Sequence, residues 1–276
     1  MRTKRIAPLL VLVMVAAACG SDSGGVGTAD TTIDVGDPSA STTTAVASPT
    51  TVEPSPSSPT TTEVPVVATA DPQLTPIPAA ELAGEDFDIG PLEGTEVGVR
   101  SVRFDDTLNA RLMPGSDQPV VVELDPTDSG LLMTGRKRLL PRSSWWELDL
   151  GANGFVWASS AFLAPMAATR DDTAWVIERL DGEIPFATEL DDLGQTVAAV
   201  YADFDGAEPS IVVVVEGSVG DLGEITIDVS NYPDDALAGD RLVIFAAPGE
   251  GGFGLKSVEA TALCRRGLTE EGELCV

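Results

Sequence analysis

Between Val102 and Leu163 apolar and polar residues alternate in short runs. In Ser144-Trp145-Trp146-Glu147-Leu148-Asp149-Leu150 the alternation places Trp146, Leu148 and Leu150 on one face and Trp145, Glu147 and Asp149 on the other, the period of a half-buried strand. Gly151-Ala152-Asn153-Gly154 predicts a turn whose Asn-Gly pair tolerates positive φ, and Phe155-Val156-Trp157 the returning strand of a hairpin. Val120 to Leu124 and Leu131 to Met133 read as two more strands, separated by the turn formers Asp125 to Gly130. Short strands with a turn signal every eight to twelve residues or so predict a closed barrel or a sandwich.

Past Leu163 the period changes. Ala164 to Thr169 is a candidate domain boundary, and a second folded segment starts near Arg170. Leu190, Leu193, Val197, Val200 and Phe204 fall at helical spacing, with Thr188 available as a cap and Asp191 and Asp192 in the first turn. Strands are expected at Ile211 to Val215, Ile225 to Val229 and Arg241 to Ala247, joined by loops short enough for antiparallel neighbours. The expected fold is therefore mostly β: a small barrel over 97–165, then an α+β domain over 170–276 with one main helix packed on an antiparallel sheet.

The barrel segment resembles the bacterial SH3 (SH3b) domain family. Leu108-Asn109-Ala110-Arg111 with Pro114-Gly115 is similar to that family's opening L-N-V-R-x-x-P-G, and Val121 or Val122 with Leu124 to its next strand. Trp145-Trp146-Glu147-Leu148 is similar to its W-W/Y-x-V strand, and Trp157 to Leu163 to its closing W-V-x-x-x-Y/F-L. Val156 departs from the usual Gly, and the segment Leu131 to Ser143, read as a loop, is longer and more basic than usual. The resemblance implies an SH3-like barrel in which Trp145, with Phe162 nearby, lines a peptide groove.

At the N-terminus Arg2, Lys4 and Arg5 precede an apolar run, Ile6 to Val15, then Ala16-Ala17-Ala18-Cys19. A basic start, a short apolar core and small residues before a lone Cys form a secretory leader too short to span a bilayer. The stretch resembles a bacterial lipoprotein signal over 1–18, which implies that Cys19 is lipidated and becomes the first mature residue. The expected location is extracytoplasmic, anchored to the cell membrane by that lipid. From Cys19 to about Glu85 the chain is rich in Thr, Ser and Pro and nearly free of aromatics. Such a composition cannot bury enough apolar surface to offset ordering entropy and predicts a disordered linker, about 45 Å across as a coil and up to about 200 Å extended.

Charge narrows the partners. Without the three leader cations, 13 basic residues face 44 acidic ones, so nucleic acid is not expected to bind. Against that trend, Arg136, Lys137, Arg138 and Arg142 cluster within seven residues. They can meet an anionic wall polymer or peptidoglycan carboxylates, or they can be a solvated loop or pair with the acidic domain beside them. Trp145 is likewise either a ligand contact or packing against the neighbouring domain.

Cys264 and Cys275 remain after Cys19, eleven apart in an exported chain, and a disulfide between them is expected. No C-x-x-C spacing and no His supports a metal or redox site, and no cofactor is expected. The absence of His excludes Ser-His and Cys-His triads, and no S-x-x-K dyad occurs. Gly249-Glu250-Gly251-Gly252-Phe253-Gly254 fits a dinucleotide fingerprint, but the chain after it is too short for the crossover unit, so a hairpin turn is expected. Tyr201 to Gly206 likewise reads as a helix-ending turn rather than a calcium loop, since Tyr201 and Val212 occupy ligand positions. The expectation is a non-catalytic binding module for a cell-wall component or wall-associated envelope protein. The alternative is a structural or assembly lipoprotein whose C-terminal domain binds a partner protein.

Overall fold

The computed structural model describes residues 75–204 and 208–276, which belong to one compact unit. The leader, Cys19 and most of the expected linker lie outside the described residues. The architecture is mostly β, with a curled half-barrel sheet, a second sheet and two helices.

The first sheet has eight strands: β1 (Glu85–Asp86), β2 (Glu96–Val99), β3 (Leu108–Arg111), β4 (Val120–Leu124), β5 (Leu131–Leu140), β6 (Ser143–Asp149), β7 (Phe155–Ser159) and β8 (Leu163–Ala164). Their order is β4-β3-β7-β6-β5-β2-β8, with β1 also paired to β5. The expected alternation places Trp146 and Leu148 in the main core with Val97, Val99, Met133 and Val156. Positive φ in the β6–β7 turn is taken by Gly151 and Gly154 rather than Asn153.

Two expectations are corrected here. Leu131 to Ser143 is not a loop: β5 runs on to Leu140, bends at a bulge between Met133 and Lys137, and turns only at Pro141-Arg142. The linker does not reach Glu85 as unstructured chain. Ala79–Glu81 forms a single 3-10 turn, Leu82 is buried, and β1 pairs Glu85 with Leu139 and Asp86 with Arg138. The apolar residues Ile77 and Leu82 explain the difference, because they cover Trp145 and Trp157, which would otherwise face water.

The second sheet orders β10 (Phe186–Ala187), β14 (Gly252–Cys264), β13 (Leu237–Gly249), β12 (Gly223–Ser230) and β11 (Ser210–Val219), with β9 (Arg170–Asp171) also on β14. Helix α2 (Leu190–Tyr201) buries Leu190, Leu193, Gly194, Val197, Ala198 and Tyr201, one stripe at helical spacing, against Ile225, Ile227, Leu242 and Ile244. Gly194 permits the close approach, since a Cβ there would stand 2.9 Å from Ile227 Cδ1. Thr188 does not cap this helix; Glu189 occupies the N-cap position without a side-chain bond. A second helix, α1 (Thr173–Arg179), escaped the sequence reading because only Val176 of its seven residues is buried, too few to show a period. Gly249 to Gly254 is the β13–β14 hairpin, with Gly251 at φ +85 in the turn.

The stretch read as a boundary is stitched into the C-terminal sheet. Cys264 N–H donates to Pro165 O, Met166 bridges to Leu263, and Ala167 N–H donates to Ala262 O. A buried ion pair completes the joint: Arg241 meets Asp228 at 2.8 Å and donates to the carbonyls of Val99 and Pro126, while Ser101 N–H donates to Asp228.

Candidate functional site

The residues nominated from sequence divide into those that hold the fold and those that face solvent. Arg136 Nη1 lies 2.6 Å from Glu147 Oε1, Nη2 donates to Ile77 O, and the guanidinium sits 5.5 Å from the Trp157 ring centre. Lys137 is buried and donates to Gly90 O, and desolvation lowers its pKa. Arg138 is buried too, clasping the carbonyls of Leu82, Ala83 and Gly84 and the Asp86 carboxylate. These three cations therefore bind the incoming 77–90 segment to β5 and are not a loop offered to a polymer. The physical reason is backbone demand: a segment laid over the half-barrel sheet brings carbonyls that need donors.

Trp145 is corrected in the same way. It is 4% exposed, packs with Leu82, Trp157, Ile77, Met113 and Leu140, and donates from Nε1 to Ser143 Oγ. Its cover is the chain just before the half-barrel sheet rather than the segment after it.

A groove of about 660 Å³ nonetheless has Trp145 and Phe162 among its lining residues. Trp145 touches it, Phe162 borders it at 40% exposure, and Arg142 is exposed at its edge. The sequence reading missed Arg103 and Arg111, which bring two more guanidinium groups to the groove against one lining carboxylate, Asp106. Arg111 ends β3, where Nη1 donates to Gln118 O at 2.5 Å, and Arg103 pairs with Asp105 at 2.8 Å. Arg111 was legible as the last residue of the Leu108-Asn109-Ala110-Arg111 motif; Arg103 carries no local signal, and the fold alone brings it there. Val212 of β11 closes the far side, so the groove is shared between the two sheets.

Chemically this is a shallow, half-apolar trough with three guanidinium groups on an otherwise acidic molecule. It suits a ligand bearing carboxylate or phosphate beside an apolar group. Among the described residues no group of three or more His, Cys, Asp or Glu side chains is placed to hold a metal ion. No helix among them is long and apolar enough to cross a membrane. The cysteines are joined: Cys264 and Cys275 form a disulfide with Cα atoms 5.2 Å apart.

No family model, no curated protein and no solved structure matches this chain.

Proposed function

We propose that the protein is a cell-envelope lipoprotein, anchored through Cys19, whose SH3-like barrel is a non-catalytic binding module for an anionic cell-wall component or a wall-associated protein. The observation that carries the reading is the gathering of Arg103, Arg111 and Arg142 around an apolar trough bordered by Phe162. On a chain with formal net charge −28, such a local excess of guanidinium is a site of opposite sign to its surroundings. The barrel motifs, the leader with its single Cys and the Thr/Pro-rich stretch that follows support the placement outside the cytoplasm.

The test is co-sedimentation of the full chain with isolated cell-wall sacculi, wild type beside Arg142→Glu and Phe162→Ala. Wild type pellets with the sacculi, both variants lose most of that binding, and added salt weakens it. Equal pelleting of all three, or none of any, overturns the groove as the wall site and directs attention to protein partners of the C-terminal sheet.

A further inference from the structure

A second cavity, of about 550 Å³, lies in the C-terminal domain and has the opposite chemistry. Its walls come from α1, the end of α2, the turn after β12 and the start of β13. Two edge-to-face aromatic pairs line it: Trp175 with Tyr201 at 4.8 Å, and Phe204 with Tyr232 at 4.4 Å between ring centres. Trp175 is 41% exposed, whereas the other three tryptophans of the chain are buried. Trp175 packs against Tyr201 and still presents a part-exposed indole to the hollow.

Beneath the rings one guanidinium serves two carboxylates. Arg170 Nη2 lies 2.9 Å from Asp240 Oδ1 and 3.0 Å from Asp172 Oδ2, and Tyr201 donates its hydroxyl to Asp172 at 2.9 Å. Asp240 is buried, and desolvation raises its pKa against the opposing pull of the Arg170 guanidinium. The Tyr232 hydroxyl, fully buried near Asp240, makes no hydrogen bond of regular geometry. Arg179 stands 5.8 Å from the Trp175 ring centre and 3.7 Å from Asp203, so this indole already carries one guanidinium. Counting all lining side chains, four carboxylates face two guanidinium groups.

We infer that this cavity is a binding site for a small organic cation, an alkylated ammonium group held against Trp175 and the neighbouring rings and above the Asp172–Asp240 pair. Aromatic faces attract such cations through the ring quadrupole, and the single guanidinium of Arg170, shared between Asp172 and Asp240, offsets only part of their charge. The cavity volume is that of a small-molecule site. Because it shares no lining residue with the barrel groove, it adds a ligand of opposite sign to the function proposed above.

The experiment is calorimetric titration of the full chain with choline, its uncharged isostere 3,3-dimethylbutan-1-ol, and methyl glucoside, with tryptophan fluorescence followed in parallel. Choline binds saturably and perturbs the emission of Trp175. Trp175→Leu, which keeps bulk and loses the π face, weakens choline about tenfold or more, and Asp240→Asn does likewise. Phe162→Ala leaves choline binding unchanged, which separates this site from the groove. Melting temperature checks that each variant is folded, and Trp175→Phe, retaining a ring, recovers most of the affinity if the loss in Trp175→Leu is one of recognition. Absence of choline binding, equal binding of the neutral isostere, preference for the glucoside, or unchanged choline affinity in a folded Trp175→Leu overturns the inference.

Discussion

Replacing Trp145 by Ala opens a cavity among Leu82, Trp157, Ile77, Met113 and Leu140, and the expected cost is about 3–5 kcal/mol in chemical denaturation. Phe162→Ala, on an exposed side chain, stays within about 0.5 kcal/mol, so it tests the groove without unfolding the barrel. Glu147 shows how a buried charge acts through pH. It is 1% exposed, and burial outweighs its bonds to Arg136 and Thr134, so its pKa is raised above the ordinary 4.5. The folded state then keeps this proton to higher pH than the unfolded chain does. Its contribution to stability is fullest below pH 4.5 and falls as pH rises through the folded-state value. Glu147→Gln should flatten that part of the stability profile, measured as denaturation midpoint against pH; an unchanged slope would assign the titration elsewhere.

At the scale of elements, the joint between the sheets depends on Asp228 and Arg241. Arg241→Met leaves the fully buried Asp228 with the Ser101 N–H as its remaining hydrogen bond and Arg100 as its remaining nearby cation, and the expected loss is about 3–5 kcal/mol. The double variant Asp228→Asn with Arg241→Met should recover much of it, because the under-compensated buried charge, not the missing contact, is the larger cost. Denaturant titration of the two variants decides between these terms. The strap from Ile77 to Asp86 is an element of the same kind. It is too short to have a hydrophobic period, yet its carbonyls engage Arg136 and Arg138, and its Leu82 shields two indoles.

For the whole molecule, the disulfide closes only a short C-terminal loop but secures the tail that accepts Ala168 N–H at Gly272 O and pairs Leu268 with Cys275. Reducing it should lower stability by about 3 kcal/mol through loop entropy, or about 6–12 °C in melting temperature for a unit of this size. Thermal melts with and without reductant give the number. The proposed anchor has its own readout: Cys19→Ser should move the protein from the membrane fraction to the soluble extracytoplasmic fraction, since a protein lacking its acyl chains retains no comparable membrane affinity.

The β6–β7 hairpin, the α2 stripe and the strands of the C-terminal meander were legible because each is a local period of apolar residues, and locality is what a linear chain records. The disulfide was legible because, once the leader-like start leads one to expect export, a pair of cysteines leaves few alternatives. What the chain order did not disclose is the use made of each charge and indole. Arg136, Lys137, Arg138 and Trp145 looked like a binding surface until the 77–90 strap was laid over them. Arg103, Arg111 and Arg142 meet only because β3 and the β5–β6 turn border one groove, and Arg170, Asp172 and Asp240 only because β9 and β13 both pair with β14. Side-chain composition and spacing determine which elements form. Which side chains are desolvated, paired or left facing a cavity depends on contacts between residues distant in sequence, and those exist only in the folded chain.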